Sequence, residues 1–552
     1  MLWVLGVLGL CGGLSACGAP LPAHAQAEAL IDVGRRLYHA GVLPDGRPLI
    51  ATRPEGLVLE GVQAACGTCH RPSGMGSVEG PSRDAILVPP VAGPVLFAPA
   101  RFADTFLDDF HHDVPNDTWR RAMTRPAYDD ESLEVSLRKG RNSAGELMAA
   151  PMPLYDLGPT ELASLSAYLR ALGAAPAPGV EADAIHVATV VTPDVPPAEA
   201  DAVLGVLEAW SGAPRLGGSP WIQHVWRLKG SPDTWGGQLE DLYRARPVFA
   251  LLSGRGRAEW RPVQEFCERE RIACVMPSVD IAPVGQPAQY SMYLSPGVEL
   301  EARVLLRHLR DREPPARLIQ VYGDPAGEHA GRVLVGGLSP EATASVATAF
   351  DRATPETAMP GVGPGDVVVL WLRSEEVEAL VSAMPEPPAA GSVVLSALLA
   401  NPEQLDLPSA WKAKARFVSL FDDLSLQAEI SRLRLQRWLE KNSLPTSLDR
   451  RLQADAYAAA YLLNDAIADI RRQEVRRPAV PLTREHVLEA LEDEVSKYSD
   501  GTPLVDEDSH IAYYGRMSLG PGQRVAVRGG SILRYASPDS RRLVAVSEHI
   551  VP

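Results

Sequence analysis

Cys66-Gly67-Thr68-Cys69-His70 stands near the front of the chain, and its reading settles what the first third of the protein is. In C-x-x-C-H, two thiols sit at a spacing that lets both form thioethers with the vinyl groups of one haem, while the adjacent imidazole reaches the iron. With six Cys and twelve His in 552 residues, chance supplies such a pentapeptide about 0.001 times. A thioredoxin-like redox pair needs a βαβ setting with the first Cys opening a helix, and no alternating pattern surrounds this motif. A zinc site needs a second Cys or His pair at ligand spacing, and none stands nearby. The motif predicts one covalent haem c attached through Cys66 and Cys69, with His70 as proximal ligand.

A sixth iron ligand has to come from the opposite face, and Met75, Met123, Met148 and Met152 are the downstream thioethers. Met75 is five residues past His70, a tether of at most about 17 Å that would have to wrap round the porphyrin edge. Met152 sits in Ala150-Pro151-Met152-Pro153-Leu154-Tyr155, where two prolines stiffen the loop and fix its projection. Met152 is therefore the preferred ligand. Met148 as ligand and Met152 as core filler are the alternatives. Gly158-Pro159-Thr160-Glu161 then opens a helix, Leu162 to Leu172, with leucines at helical spacing.

This segment resembles class I cytochrome c. The opening helix carries Gly34 and Tyr38 four residues apart, and the closing helix carries Leu165 and Tyr168 three apart. In that family a face of Gly and an aromatic residue on the first helix crosses the last. The resemblance implies an all-α cytochrome c domain over residues 26–173, with Cys66 and Cys69 as thioether links, His70 proximal and Met152 distal. It departs from the family in the gap of 82 residues from His70 to Met152, which leaves 77–140 as an enlarged middle region. His111-His112 lies among Asp108, Asp109 and Asp113 and reads as a solvated surface pair rather than a metal site.

Upstream, the apolar run from Leu2 to Leu14 is too short to span a bilayer and reads as an export signal. Two cleavage readings stand side by side. Ala23-His24-Ala25 before Gln26 gives a signal peptide of 1–25, and Leu14-Ser15-Ala16-Cys17 resembles a lipoprotein signal cleaved before an acylated Cys17. Either way the expected location is the periplasm, with membrane attachment only through such a lipid anchor. The chain carries 46% hydrophobic and 22% charged residues and a formal charge of -16, the wrong sign for nucleic-acid binding.

Residues 174–182, rich in Ala, Pro and Gly, read as a semi-rigid linker. Beyond them short apolar strands alternate with helices: Ile185 to Val191 and Ala198 to Trp210, Val225 to Leu228 and Thr234 to Arg244, Pro247 to Leu252 and Glu259 to Glu270, Ala273 to Met276 and Glu299 to Asp311. The alternation continues through Leu318 to Tyr322, Asp366 to Leu372, Glu375 to Ala383 and Val393 to Leu395. Repeated βα units predict parallel sheets covered by helices, and this length is best divided into two α/β lobes with a cleft between them.

Residues 183–552 resemble the type I periplasmic binding proteins, the substrate-binding fold of ABC transporters for branched-chain amino acids and amides. The resemblance is carried by Pro247 to Gly254, Trp260, Val263 to Cys267, Ile272 to Pro277, Tyr290 to Ser295 and Tyr514 to Gln523. It implies lobes joined by crossover strands, near Ser295 and near Phe421 to Leu424, that close on a small ligand. In open α/β sheets ligands sit beyond the carboxyl ends of strands. By that rule Ser253, Gly254 and Ser278 are the cleft candidates, followed by Asp280 and Tyr293, each with an ordinary loop or helix-cap role as its alternative. Cys267 and Cys274 are seven positions apart and either bond in an oxidising compartment or remain two buried thiols.

Three functions follow as expectations. The first is a periplasmic one-electron carrier fused to a binding module, with a periplasmic dehydrogenase, such as a quinoprotein, or another cytochrome as redox partner. The second is an ABC-transporter-type receptor or sensor for a small-molecule ligand, with an ancillary haem. The third is a haem catalyst with a displaceable Met152. An electron carrier or binding protein is favoured over a catalyst, because His/Met ligation fills both axial sites. No P-loop, G-x-S-x-G or H-E-x-x-H occurs in the chain.

Overall fold

A computed structural model describes residues 23–79, 86–100, 124–148, 151–212, 220–283, 285, 288–312, 315–338, 344–359, 361–422, 424–474, 480–496, 514, 517–520 and 522–552. Cys17, His111, His112, Met123 and nearly all of the signal segment 1–25 lie outside the described residues. The chain divides into two compact units, Met1–Ala174 and Ala175–Pro552.

In the first unit the helix Ala23–Ala40 packs on the helix Pro159–Ala171. Gly34 sits at the crossing: a Cβ there would lie 2.6 Å from Tyr168 Cβ and closer still to the Ser164 carbonyl oxygen, so only a hydrogen lets the two axes approach. Tyr38 and Tyr168 are buried around it, ring centroids 5.4 Å apart. A third helix, Asp130–Lys139, starts at Asp129, whose carboxylate accepts from Ser132 N at 2.8 Å, and stops at Gly140 with φ 64°.

This unit is helical but not all-α, which corrects the sequence expectation. Strand Ile50–Thr52 pairs antiparallel with Val58–Glu60 and with Leu154–Tyr155, and Ser77–Glu79 pairs with Ile86–Val88. The reason is local: Gly46 and Gly56 adopt positive φ, 85° and 89°, closing turns that fold the chain after the first helix back on itself.

In the second unit the first lobe is a parallel sheet. Its strands are Ile185–Val191, Trp221–Arg227, Ala250–Leu252, Ala273–Val275 and Ser291–Met292, and in space they run second, first, third, fourth, fifth. The third and fourth strands are kinked and resume as Arg255–Gly256 and Ser278–Val279. The second lobe repeats that order with Arg317–Tyr322, Ala344–Ala349, Val367–Trp371, Ser392–Ser396 and Ala415–Ser419, and adds antiparallel Ser531–Tyr535 and Leu543–Ala545. Ile185–Val191 is buried at every residue, as a central strand covered on both faces must be.

The chain passes between the lobes three times, after Met292, after Ser419 and before Ser531. The first and last passages are hydrogen-bonded together, Tyr293 N to Arg524 O at 2.8 Å and Val527 N to Leu294 O at 2.8 Å. Between the second and third lie helices Leu426–Lys441, Arg450–Glu474 and Arg484–Ser496, and the long middle one packs on Pro197–Ser211 of the first lobe. Arg484 fixes this return: its buried guanidinium donates to the carbonyls of Val248 at 2.7 Å and Phe249 at 2.9 Å.

The stretch read as a linker, 174–182, is not a free spacer. Ala177 N donates to Leu482 O at 3.0 Å, Val180 bridges Ile185, and Arg484 reaches Pro178 O at 3.3 Å. Its prolines lack N–H groups but its carbonyls still accept, so it docks on the second unit.

Candidate functional site

The first candidate site is built on the short helix Gly67–His70, where His70 N donates to Cys66 O at 2.9 Å. One helical turn brings both thiols and the imidazole together. His70 Nδ1 lies 2.8 Å from Pro89 O. A carbonyl oxygen only accepts, so Nδ1 carries the proton and Nε2 keeps its lone pair. Burial lowers the His70 pKa, which keeps the ring neutral as a metal ligand requires.

Cys66 and Cys69 are outside any disulfide. Burial pushes the Cys66 thiol up to about 12, the opposite of what a nucleophilic or thioredoxin-like cysteine needs. Met152 is half-buried against the hydrophobic cluster of Leu37, Tyr38, Tyr155 and Leu165 that also receives Cys66. Met148 is engaged elsewhere, its sulfur accepting from Ser136 Oγ at 3.3 Å. A neutral imidazole whose Nε2 keeps its lone pair, two thiols one turn apart and a thioether on the same core make a donor set that fits a covalently attached haem. Among the described residues no group of three or more His, Cys, Asp or Glu side chains is arranged to hold a bare metal ion.

The second site is a narrow cleft between the two lobes of the second unit. Its lining residues follow the carboxyl ends of strands in both lobes: Ser278 and Asp280 in the first, Arg373, Leu398 and Phe421 in the second.

A chain of buried ions crosses this cleft. Glu199, near the start of helix Pro197–Ser211, pairs with Arg257 and with Arg255 at 2.8 Å. Arg255 reaches Asp280 at 2.7 Å, Asp280 reaches Arg373 of the other lobe at 2.6 Å, and Arg373 reaches Asp324 at 2.6 Å. Burial alone would raise the Asp280 and Glu199 pKa values, but the adjacent guanidiniums outweigh it and hold both carboxyls below their ordinary range.

In two further acids burial outweighs the nearby guanidinium, Arg255 for Asp455 and Arg451 for Glu301. Asp455 accepts from Ser278 Oγ at 2.8 Å and from the Tyr514 hydroxyl at 3.2 Å, and burial pushes its pKa up to about 7. Glu301 accepts from Ser396 Oγ and from Leu398 N at 2.9 Å, and burial pushes it up to about 8.

Of the cleft candidates read from sequence, Ser278 and Asp280 line the cleft, and Ser253, Gly254 and Tyr293 are not among its lining residues. Ser253 (φ 53°) and Gly254 (φ 128°) form the kink in the third strand, and a Cβ on Gly254 would lie 2.9 Å from the Trp260 ring. The kink buries both residues, and among the described residues the Ser253 Oγ has no hydrogen-bond partner. Tyr293 instead donates to Gln264 Oε1 at 2.6 Å. Cys267 and Cys274 form a disulfide between helix Arg261–Glu270 and strand Ala273–Val275.

Sequence reading missed Glu199, Arg255, Arg373, Asp455 and Tyr514. The one available signal was position: Arg255 and Arg373 each follow a strand, where a charged residue faces the crevice rather than the core.

No family model and no curated protein matches the chain. It is similar to solved structures of ABC-transporter substrate-binding proteins. One is a fatty acid ABC transporter substrate-binding protein from Thermomonospora curvata, 13% identical, with 68% of this chain and 95% of that chain covered and a TM-score of 0.47. Another is a branched chain amino acid ABC transporter protein from Thermus thermophilus with bound valine, 12% identical over 68% and 98% of the two chains, TM-score 0.49. A third is a leucine binding protein from Thermotoga maritima, 13% identical over 67% and 99%, TM-score 0.45.

Proposed function

We propose that this chain is an exported two-lobed receptor for a small molecule, with one covalent haem c on its front unit. The observation that carries the receptor reading is the cleft: two lobes of identical strand order, crossed three times by the chain, meet at the carboxyl ends of their strands around polar side chains. This is the architecture of a type I periplasmic binding protein, and it moves the receptor ahead of the electron carrier that the sequence alone put first. Calorimetric titration of the full chain with amino acids, amides, alcohols and carboxylic acids tests it. Stoichiometric binding of one class is expected, and no binding by any member of a broad library would sink the reading.

A second activity, one-electron transfer with a periplasmic dehydrogenase or another cytochrome, is supported by the His70 and Pro89 pairing. Cys66, Cys69, His70 and Met152 would hold the haem. Bound there, the haem supplies one-electron redox chemistry. The Pro89 carbonyl holds the His70 tautomer and ring plane, and Tyr38, which donates to Arg71 O at 2.7 Å, ties the chain just beyond His70 to the first helix. Protein matured in a host with a haem-attachment system should be coloured, with pigment that acidified acetone does not extract.

A further inference from the structure

The cleft wall holds one polar spot that the ion chain does not use. Asp455, on helix Arg450–Glu474, is 8% exposed and lines the cleft. Ser278 Oγ and the Tyr514 hydroxyl each donate to one of its oxygens, and among the described residues no Lys, Arg or His pairs with it. A carboxyl group has room for further hydrogen bonds beyond these two, and the open side of Asp455 is the cleft.

Three guanidiniums around this spot are matched by carboxylates without a ligand. Arg255, Arg257 and Arg373 are matched by Glu199, Asp280 and Asp324. Arg451 donates to Ala397 O and lies over the Phe421 ring at 4.1 Å, and Asp449 beside it accepts from Asn401 Nδ2 at 3.1 Å. A ligand carboxylate would face Asp455. A ligand ammonium would share the cleft with Arg255, Arg373 and Arg451. Either would add an uncompensated charge to a buried site, which is costly. Apolar side chains also line the cleft, among them Leu294, Leu398, Leu399, Phe421 and Leu452.

We infer that Asp455, with Ser278 and Tyr514, anchors the hydroxyl group of an uncharged small molecule whose apolar remainder lies against the leucines and Phe421. The inference rests on the receptor reading and adds to it the class of ligand and the residue that selects it.

Four compounds with one isobutyl tail and different heads, titrated into the full chain by calorimetry, test this. They are 4-methylpentane-1,2-diol, leucine, 4-methylpentanoate and 3-methylbutylamine. The diol is expected to bind at least about tenfold tighter than the other three. Asp455→Asn, which keeps hydrogen bonding and removes the charge, should stay within about threefold of wild type, and Asp455→Leu should lose about tenfold or more. Should Asp455→Leu fold poorly, Tyr514→Phe carries the test, with an expected loss of about fivefold.

Leucine, the acid or the amine binding as tightly as the diol would overturn the inference. So would wild-type affinity in Asp455→Leu or Tyr514→Phe, or a failure of the diol to bind while a broad library yields a different cleft ligand. A library that yields no ligand at all defeats the receptor reading itself.

Discussion

Asp280 and Arg373 meet at 2.6 Å across the cleft, one from each lobe, with 3% and 7% of their surfaces exposed. Asp280 is shared with Arg255 on its own lobe, and Arg373 with Asp324 on its own. One carboxylate thus holds two guanidiniums, one from each lobe.

Breaking that pair from one side leaves buried charge behind. Arg373→Met should destabilise the second unit by about 3 kcal/mol and widen the lobes. Chemical denaturation reads the first effect and the radius of gyration in solution scattering reads the second. Arg373→Met combined with Asp324→Asn should recover part of the loss, because Asp324 then carries no unpaired charge. A variant as stable and compact as wild type would show that the clasp does not hold the lobes.

Stability should fall as pH rises from about 4 to 8. Burial holds Asp455 at about 7 and Glu301 at about 8, above their values in an unfolded chain, so in that window the folded chain keeps protons that the unfolded chain releases. Asp280 and Glu199 are held low, and the stability they contribute is lost instead as pH falls below about 4. Denaturation midpoints at pH 5 and pH 8 should therefore differ in wild type. Asp455→Asn with Glu301→Gln should narrow the difference, and an unchanged slope would refute the assignment.

Gly34→Ala should destabilise the first unit by about 1–3 kcal/mol, because the added methyl group meets Tyr168 Cβ and the Ser164 carbonyl. Gly236→Ala is the control. Nothing lies within 4 Å of a Cβ there, and in helix Trp235–Ala245 alanine should be neutral or stabilising by up to about 1 kcal/mol. Thermal melts of the two variants separate a packing effect from a general effect of losing glycine.

Met152→Ala should turn low-spin iron to high-spin in the visible spectrum of matured protein, and Met148→Ala should not. The two thioethers differ in their engagement, Met152 lying on the core that receives Cys66 and Met148 held by Ser136. The reverse outcome would move the distal ligand to Met148. Cys66→Ser with Cys69→Ser should give a protein whose pigment, if any, is removed by acidified acetone.

Much of the architecture was legible in the residues. The alternation from Ile185 to Tyr322 places strands and helices close to where they stand, because a strand's apolar run and a helix's periodic face are properties of a few neighbouring positions, whereas helix Pro325–Gly336 and strand Ala344–Ala349 were not read. The crossing of the helices that carry Gly34 and Tyr168 was expected only from the resemblance to class I cytochrome c, since no local period encodes a contact so distant in the chain. The helices from Leu426 to Ser496 and the antiparallel strands Ser531–Tyr535 and Leu543–Ala545 were not read. Their role depends on a return to the first lobe and then to the second, which no local period encodes. Ser253 and Gly254 were placed in the cleft by a rule for regular strands, and the kink at those residues is what that rule omits.

From sequence alone come the C-x-x-C-H motif at Cys66 to His70 and the succession of βα units, since both depend on spacings of a few residues. Tertiary structure alone decided that Glu199, Arg255, Asp280, Arg373 and Asp324 pair with one another, and that Asp455 beside them accepts from the hydroxyls of Ser278 and Tyr514. Coulomb energy and desolvation depend on distance and burial in space, and those are fixed only when strands far apart in the chain bring their carboxyl ends to a common cleft.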